Sequence, residues 1–376
     1  MTTALPLVIA EIGTAHGGDL HRARDLVIAA RESGADLAKF QLVRAHEILH
    51  PASGTVELPG GRVPLYDRFL EIERPVEFYH ALQEICRDNG IKFLCTPFGL
   101  ESARLLRGLG VDSIKIASPE LNYHQLLREV SSYGVPLVLS SGVATVADIA
   151  ESLEVISGNS SHNVTLLHCV TSYPAPEEDY NLRVIPALRN LLGVPVGISD
   201  HSMDPILVPT LATTVGATII EKHITLDRSN SGLDDPIALE PDQFRQMVQE
   251  VRRISAQLQE AATDPLELRR RKLLLQKEIQ DRFGSARVET VLGNGVKTLA
   301  ASEKRNYGYT NRSIHAMQDL PPGTTLNEGN CAILRTEKNL TPGLHPRYWE
   351  RILGSRTTVA VTAGDGILWD HILNYR

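Results

Sequence analysis

Between Val194 and Asp235 the chain sets Ser199, Asp200 and His201 after one apolar run and Glu221 and His223 inside the next, with helical sequence around Ala212 and Val215 between them. One strand, helix and strand cover the separation of the two histidines, so parallel strands would bring both imidazoles out at one edge of one sheet. There they would suit a divalent metal; two hydrogen-bonded structural histidines are the alternative. A second group is cationic. Lys39 and Lys115, on different apolar runs, accompany Thr96, Ser118, Ser140, Thr171 and Ser199. Two fixed positive charges in a ring of hydroxyls fit a small anion bearing phosphate and carboxylate, whereas either lysine by itself would as readily be the ion-pair partner of a buried carboxylate. Glu11, Glu120 and Asp234 are available to move protons or to bind hydroxyls.

These residues need a scaffold that gathers distant segments. Short β-branched runs recur at Leu7–Gly13, Leu37–Leu42, Lys92–Phe98, Ser113–Ser118, Pro136–Gly142, Thr165–Thr171, Val196–His201 and Ile219–Thr225, each ending in polar or small residues. Helical stripes fall between them, such as Ala23, Leu26, Val27 and Ala30 stopped by Gly34, or Phe78, Leu82 and Ile85 opened by Pro75 and closed by Gly90. Eight strands alternating with eight helices predict a closed (β/α)8 TIM barrel, with an open doubly wound sheet as the alternative. No Gly-x-Gly-x-x-Gly turn follows the first strand, which disfavours a dinucleotide-binding sheet. In a barrel the active site gathers at the carboxyl ends of the strands. All eight ends are polar here: Glu11; Lys39 and Gln41; Thr96; Lys115, Ser118 and Glu120; Ser140 and Ser141; Thr171 and Tyr173; Ser199 and His201; Glu221 and His223. Alternation along a strand puts Lys39 with Gln41, Ser199 with His201 and Glu221 with His223 on shared faces.

The remaining segments frame that barrel. Residues 43–74 would overhang the site as a lid, a substrate loop or a packed surface excursion. Asp264 to Gly284 reads as a capped, solvated extra helix with a basic run at Arg269, Arg270, Arg271 and Lys272, for which phosphate binding is the alternative. A polar connection from Gly293 to Tyr309 marks a boundary, giving a catalytic barrel at 1–260, an extra helix and linker at 261–308, and a small β-rich module at 309–376. At 376 residues with 42% hydrophobic content and a formal net charge of -7, the chain has ample core. No long basic patch accompanies that balance, so nucleic acid is not an expected partner. The start MTTALPLVIAEIG has no basic segment before its apolar run and no long uninterrupted apolar stretch follows, so a soluble cytoplasmic enzyme without a membrane partner is expected. Cys86, Cys95, Cys169 and Cys331 lack metal-ligand spacing and read as reduced, packed thiols.

The runs AEIGTAHGG, KFQ, TPF, IKIASPE, LSSG, LLHCVTSYPAP, GISDHS, EKHITLDR and LEPDQF, in this order, closely resemble the sialic acid synthase family of nonulosonate synthases. NRSIHA, PPGTTL and YWERILG look like that family's antifreeze-like (SAF) domain, a β-clip. The resemblance implies condensation of phosphoenolpyruvate with an N-acylated amino sugar aldehyde, N-acetylmannosamine or a 2,4-diacetamido hexose, to give a sialic-type acid and phosphate. It places phosphoenolpyruvate against Lys39, Thr96, Lys115, Ser118, Ser140 and Ser199, with Thr171 where relatives carry Asn or Ser. It places a divalent metal, Mn2+, Mg2+ or Co2+, on His201 and His223, with Gln41 and Glu120 nearby. Glu11, Tyr173 and Asp234 match positions for the acceptor or for acid and base work. It also implies a domain-swapped homodimer in which the module contributes an arginine, for which Arg312 is the candidate. Two departures, Ala15-His16-Gly17-Gly18 and Ser231-Gly232-Leu233-Asp234-Asp235, lie beside the expected acceptor and bear on its identity rather than on the reaction type. Two rival functions remain: a Schiff-base pyruvate aldolase with Lys115 as nucleophile, and a noncatalytic sugar- or ice-binding protein.

Overall fold

The structure, a computed structural model, describes residues 5–58, 61–158, 163–230, 232, 234–337 and 339–373. Twelve strands are assigned among these residues: β1 (Leu7–Gly13), β2 (Leu37–Leu42), β3 (Thr55–Leu58), β4 (Gly61–Pro64), β5 (Lys92–Pro97), β6 (Ile114–Ile116), β7 (Leu137–Ser140), β8 (Val164–Cys169), β9 (Val196–Asp200), β10 (Ile219–His223), β11 (Arg312–Ala316) and β12 (Cys331–Arg335). Eight of them close a parallel barrel in the order β1-β10-β9-β8-β7-β6-β5-β2. These are the eight runs expected from the sequence. The shortest is β6, because Ser118–Glu120 leaves the strand as a 3-10 turn around Pro119.

Alternation along these strands builds the barrel interior in storeys. Ile9, Leu37, Leu94, Val138, Leu167 and Ile219 pack together as an apolar plug. Two residues further along each strand stand Glu11, Lys39, Thr96, Ser140, Cys169 and Glu221, with Ser199 from β9, all of them buried. The register therefore lifts a polar storey directly onto an apolar one. Gly197 occupies the plug's level on β9 because a Cβ there would stand 2.5 Å from the Ile219 carbonyl oxygen and 2.8 Å from its nitrogen.

Helices cover the outside of the barrel. Leu20–Glu32 starts at Asp19, whose side chain accepts the His21 N–H, and buries the predicted Ala23, Leu26, Val27 and Ala30 stripe. Helix Leu207–Val215 is buried on nearly every side. One reason is the extra helix Pro265–Phe283, which lies against it and donates from Gln276 to Thr214 Oγ1 at 3.2 Å. Arg269 and Arg270 of that helix are exposed, as a solvated face requires. Residues 43–74 hold two short helices, Ala45–Ile48 and Leu65–Ile72, flanking the β3–β4 hairpin. The module pairs β11 antiparallel to β12 with Arg312 opposite Arg335. It lies against the barrel of its own chain, where the Asn122 side-chain amide makes both hydrogen bonds to the backbone of Arg312. All four cysteines are free and buried. No helix among the described residues is long and apolar enough to cross a membrane.

Candidate functional site

The polar storey floors a cavity of about 260 Å3 at the carboxyl end of the barrel. Lys39 Nζ, from β2, stands 2.5 Å from Glu11 Oε2 and 3.5 Å from Glu221 Oε2. Lys115 Nζ, from β6, donates to Ser140 Oγ at 2.6 Å and to the Ile116 carbonyl at 3.0 Å, with Glu221 Oε1 3.9 Å away. Ser199 Oγ donates to Glu221 Oε1 at 2.8 Å, and Gln41 Nε2 to Glu11 Oε1 at 2.8 Å. The hydroxyls of Thr96 and Thr171 line the same space, buried and without a hydrogen-bond partner of their own. Both sequence readings of the lysines meet here: each has a carboxylate beside it, and both face one cavity.

Burial works against the charge on Lys39, but Glu11 and Glu221 outweigh it and hold its pKa above the usual lysine value. For Lys115 burial wins and pushes the pKa down to about 8. Affinity for phosphoenolpyruvate, the anion implied by the resemblance, is therefore expected to weaken as pH rises through about 8, because the neutral amine no longer attracts it. Titrating the affinity by calorimetry without acceptor checks this, and Lys115→Arg, which stays charged, should flatten the step.

Above the lysines two imidazoles face one another. His201 and His223 have ring centroids 5.6 Å apart, and Tyr173 stacks on His201 at 4.2 Å. His201 Nδ1 lies 2.8 Å from the Val170 carbonyl, which can only accept, so this nitrogen carries the proton and Nε2 presents its lone pair on the side of Ser199. Burial, reinforced by the neighbouring His223, pushes His201 down to about 4, and burial does the same to His223. Asp234 Oδ2 comes within 3.8 Å of His223 Nδ1. Two neutral imidazoles with a carboxylate beside them are a donor set that fits a divalent ion. From behind, Tyr180 accepts the His201 N–H at 2.9 Å and donates to Asp200 at 2.6 Å, and Asp200 is paired with Lys222 at 2.7 Å. A different cluster, His124, Glu151 and His345, lies outside the barrel at its seam with the module. Arg347 already bridges it, 2.6 Å from Glu151 and donating to His345 at 3.2 Å.

Of the residues singled out from the sequence, Glu11, Lys39, Gln41, Thr96, Lys115, Ser118, Ser140, Thr171, Tyr173, Ser199, His201, His223 and Asp234 line the one cavity. Two do not. Glu120, expected near the metal, and Arg312, expected to reach a barrel from the module of a swapped dimer, are within this chain buried against each other at 2.8 Å, outside the lining. The reason is the turn at Ser118–Glu120, which carries Glu120 off the strand and under the module. Arg335, opposite Arg312 in register, holds the same carboxylate at 2.7 Å and reaches the cavity instead. Sequence reasoning missed Phe69, from the overhanging segment, and Thr310 and Arg335, both from the module. Glu221 shares the inward face of β10 with His223, the alternation that marks it in the sequence, and stands between Lys39, Lys115 and Ser199. Of the second motif departure, Ser231 and Leu233 lie outside the described residues.

Residues 26–263 match the NeuB family and residues 311–373 match the SAF domain. The spore coat polysaccharide biosynthesis protein SpsE of Bacillus subtilis is 34% identical over 97% of this chain and 93% of its own length. The N,N'-diacetyllegionaminic acid synthase of Legionella pneumophila is 32% identical over 97% of this chain and 94% of its own. The crystal structure of the Bacillus subtilis SpsE superposes with a TM-score of 0.80 at 32% identity, covering 99% of this chain and 96% of that one.

Proposed function

The chain belongs to the NeuB family, and from that premise we propose that it is a nonulosonate synthase, joining phosphoenolpyruvate to an N-acylated amino sugar aldehyde and releasing phosphate. The observation that carries the reading is the convergence in one cavity of Lys39, Lys115 and unpartnered hydroxyls with the facing pair His201 and His223. In this reading Lys39, Lys115 and the hydroxyls of Thr96, Ser140 and Thr171 take the phosphate and carboxylate oxygens of the donor. C3 of the enol forms the new bond to the aldehyde carbon. Water adds at C2, and the C2–O bond to phosphate breaks, so the sum is donor, aldehyde and water in, acid and phosphate out. The fixed ammonium charges offset the negative charge that grows on the departing phosphate. Glu11, between Lys39 and Gln41, is placed to accept the proton of the adding water, and Asp234 and Tyr173 frame the acceptor end. A divalent ion held by His201 and His223 would supply Lewis acidity toward a carbonyl oxygen. A cytoplasmic homodimer belongs to the same reading, and light scattering on the purified chain tests the assembly; an exchange of modules would make between two copies the contact of Asn122 with Arg312 that is made here within one chain.

The decisive experiment measures phosphate release from phosphoenolpyruvate over a panel of acceptors, with and without Mn2+. The panel holds N-acetylmannosamine, a 2,4-diacetamido hexose and a phosphorylated amino sugar. Release that needs one of these acceptors, and that EDTA suppresses, is expected. The depressed Lys115 pKa also fits an amine nucleophile, so the aldolase reading receives its own arm. Borohydride trapping of pyruvate on Lys115, with no acceptor-dependent phosphate, would replace the synthase by an aldolase.

A further inference from the structure

The connection between barrel and module sends one carboxylate inward. Glu303 is fully buried, and its Oε1 accepts the backbone N–H of Val143 at 2.8 Å and that of Thr171 at 2.7 Å. Its Oε2 accepts the Ala300 N–H at 3.2 Å. Val143 and Thr171 follow β7 and β8, the strands that carry Ser140 and Cys169 into the cavity. Val143 has a φ of +42°, a left-handed conformation that a β-branched residue adopts only under constraint. The constraint comes from both sides of this residue: Glu303 takes its N–H, and Asn311, at the start of the module, donates to its carbonyl at 3.0 Å. Lys297 adds a third tie, donating to the Ser141 carbonyl at 3.2 Å.

In front of this bracket the backbone is packed without slack. The Gly142 N–H donates to Ser118 Oγ at 2.9 Å. A Cβ on Gly142 would stand 2.0 Å from Thr171 Oγ1, 3.0 Å from Ser118 Oγ and 3.1 Å from Glu303 Oε1. Ser118, Ser140 and Thr171 line the cavity, so a shift of the strained peptide would move the hydroxyls that face the anion. We propose that Glu303 is a positioning residue for the anion-binding half of the cavity, holding the ends of β7 and β8 in the conformation that aims Ser118, Ser140 and Thr171 at the donor's phosphate and carboxylate. The proposal rests on the phosphoenolpyruvate reading given above. It makes the connection part of the binding machinery as well as a tether.

The test is calorimetric binding of phosphoenolpyruvate to the full chain, with steady-state kinetics on the acceptor that the panel selects. Glu303→Ala is expected to weaken phosphoenolpyruvate binding about tenfold, the scale of hydrogen bonds to a charged group, and to leave the acceptor KM within about twofold. Added formate should restore part of the lost affinity by refilling the carboxylate position. If the alanine variant does not fold, Glu303→Asp carries the same expectation, since it keeps the buried charge but withdraws it from the two N–H groups. A folded variant that binds phosphoenolpyruvate as tightly as the parent, or that loses both substrates alike without response to formate, overturns the proposal. Failure of the parent chain to bind phosphoenolpyruvate would instead overturn the synthase reading.

Discussion

Replacing His223 with alanine is expected to abolish the stimulation of phosphate release by Mn2+ and to cut turnover about a thousandfold, since Lewis-acid polarisation of a carbonyl is worth several kcal/mol and each 1.36 kcal/mol is a factor of ten. The imidazole is already neutral at working pH because burial pushes its pKa down to about 4, so the loss should be equally deep on either side of neutrality. His223 stands on the cavity wall and not in the apolar plug, so the barrel should keep its fold and its melting midpoint should move by only a few degrees. Calorimetric titration with Mn2+ gives the second readout, in which His201→Ala should match His223→Ala. His124→Ala, at the seam, should bind Mn2+ like the parent. Undiminished Mn2+ stimulation in the His223 variant, or full turnover of the parent in chelated buffer, would remove the metal from the scheme.

The second large effect concerns Lys39. Its ammonium lies between Glu11 and Glu221, so Lys39→Met leaves two buried carboxylates facing each other without the cation that separates them. Breaking a buried pair by removing one partner costs about 3–5 kcal/mol, and stability at neutral pH should fall by that order. Binding of phosphoenolpyruvate should weaken about a hundredfold through loss of one charge-assisted contact and the gain of unscreened negative charge. The sign of the pH dependence follows from Glu221. Burial opposes its ionisation, but Lys115 and Lys39 overcome this and hold its pKa down to about 2. Without Lys39 that pKa rises, and a carboxyl whose folded pKa is raised favours the folded state where it is protonated. The variant's deficit should therefore shrink as pH falls, which chemical denaturation at neutral and acidic pH would measure. Should the folded variant still bind phosphoenolpyruvate as tightly as the parent, Lys39 would be a structural ion-pair partner and nothing more.

The barrel was legible because its strands are short, β-branched and separated by helical stripes, and because alternation assigns each strand one inward face. The same alternation brought Lys39 with Gln41 and Ser199 with His201 into one cavity, since residues two apart share a face wherever the strand is regular. It failed where the strand stops. Glu120 follows Pro119 in a 3-10 turn, so counting in twos from Lys115 no longer tells which way it points. Arg312 and Arg335 are a cross-strand pair, and nothing in the sequence says which of two arginines opposite each other meets the cavity. Arg335 also lies 215 positions from the Glu120 it binds, a contact that only the docking of the module creates. Glu303 was hidden for a similar reason: in a stretch rich in Gly, Ser, Lys and Asn, an acidic residue reads as solvated until the fold shows it inside.

The Glu120 bracket also bears on how far this chain can be trimmed. Two guanidinium groups from β11 and β12 cover a carboxylate with no exposure of its own. Cutting away residues beyond the barrel would remove both guanidinium groups and, with them, the surface that keeps water off this carboxylate, so a barrel alone would carry a wetted anionic face where the seam had been. The converse holds in the intact chain, where neutralising position 120 would leave the Arg312 guanidinium in that seam without its counter-ion.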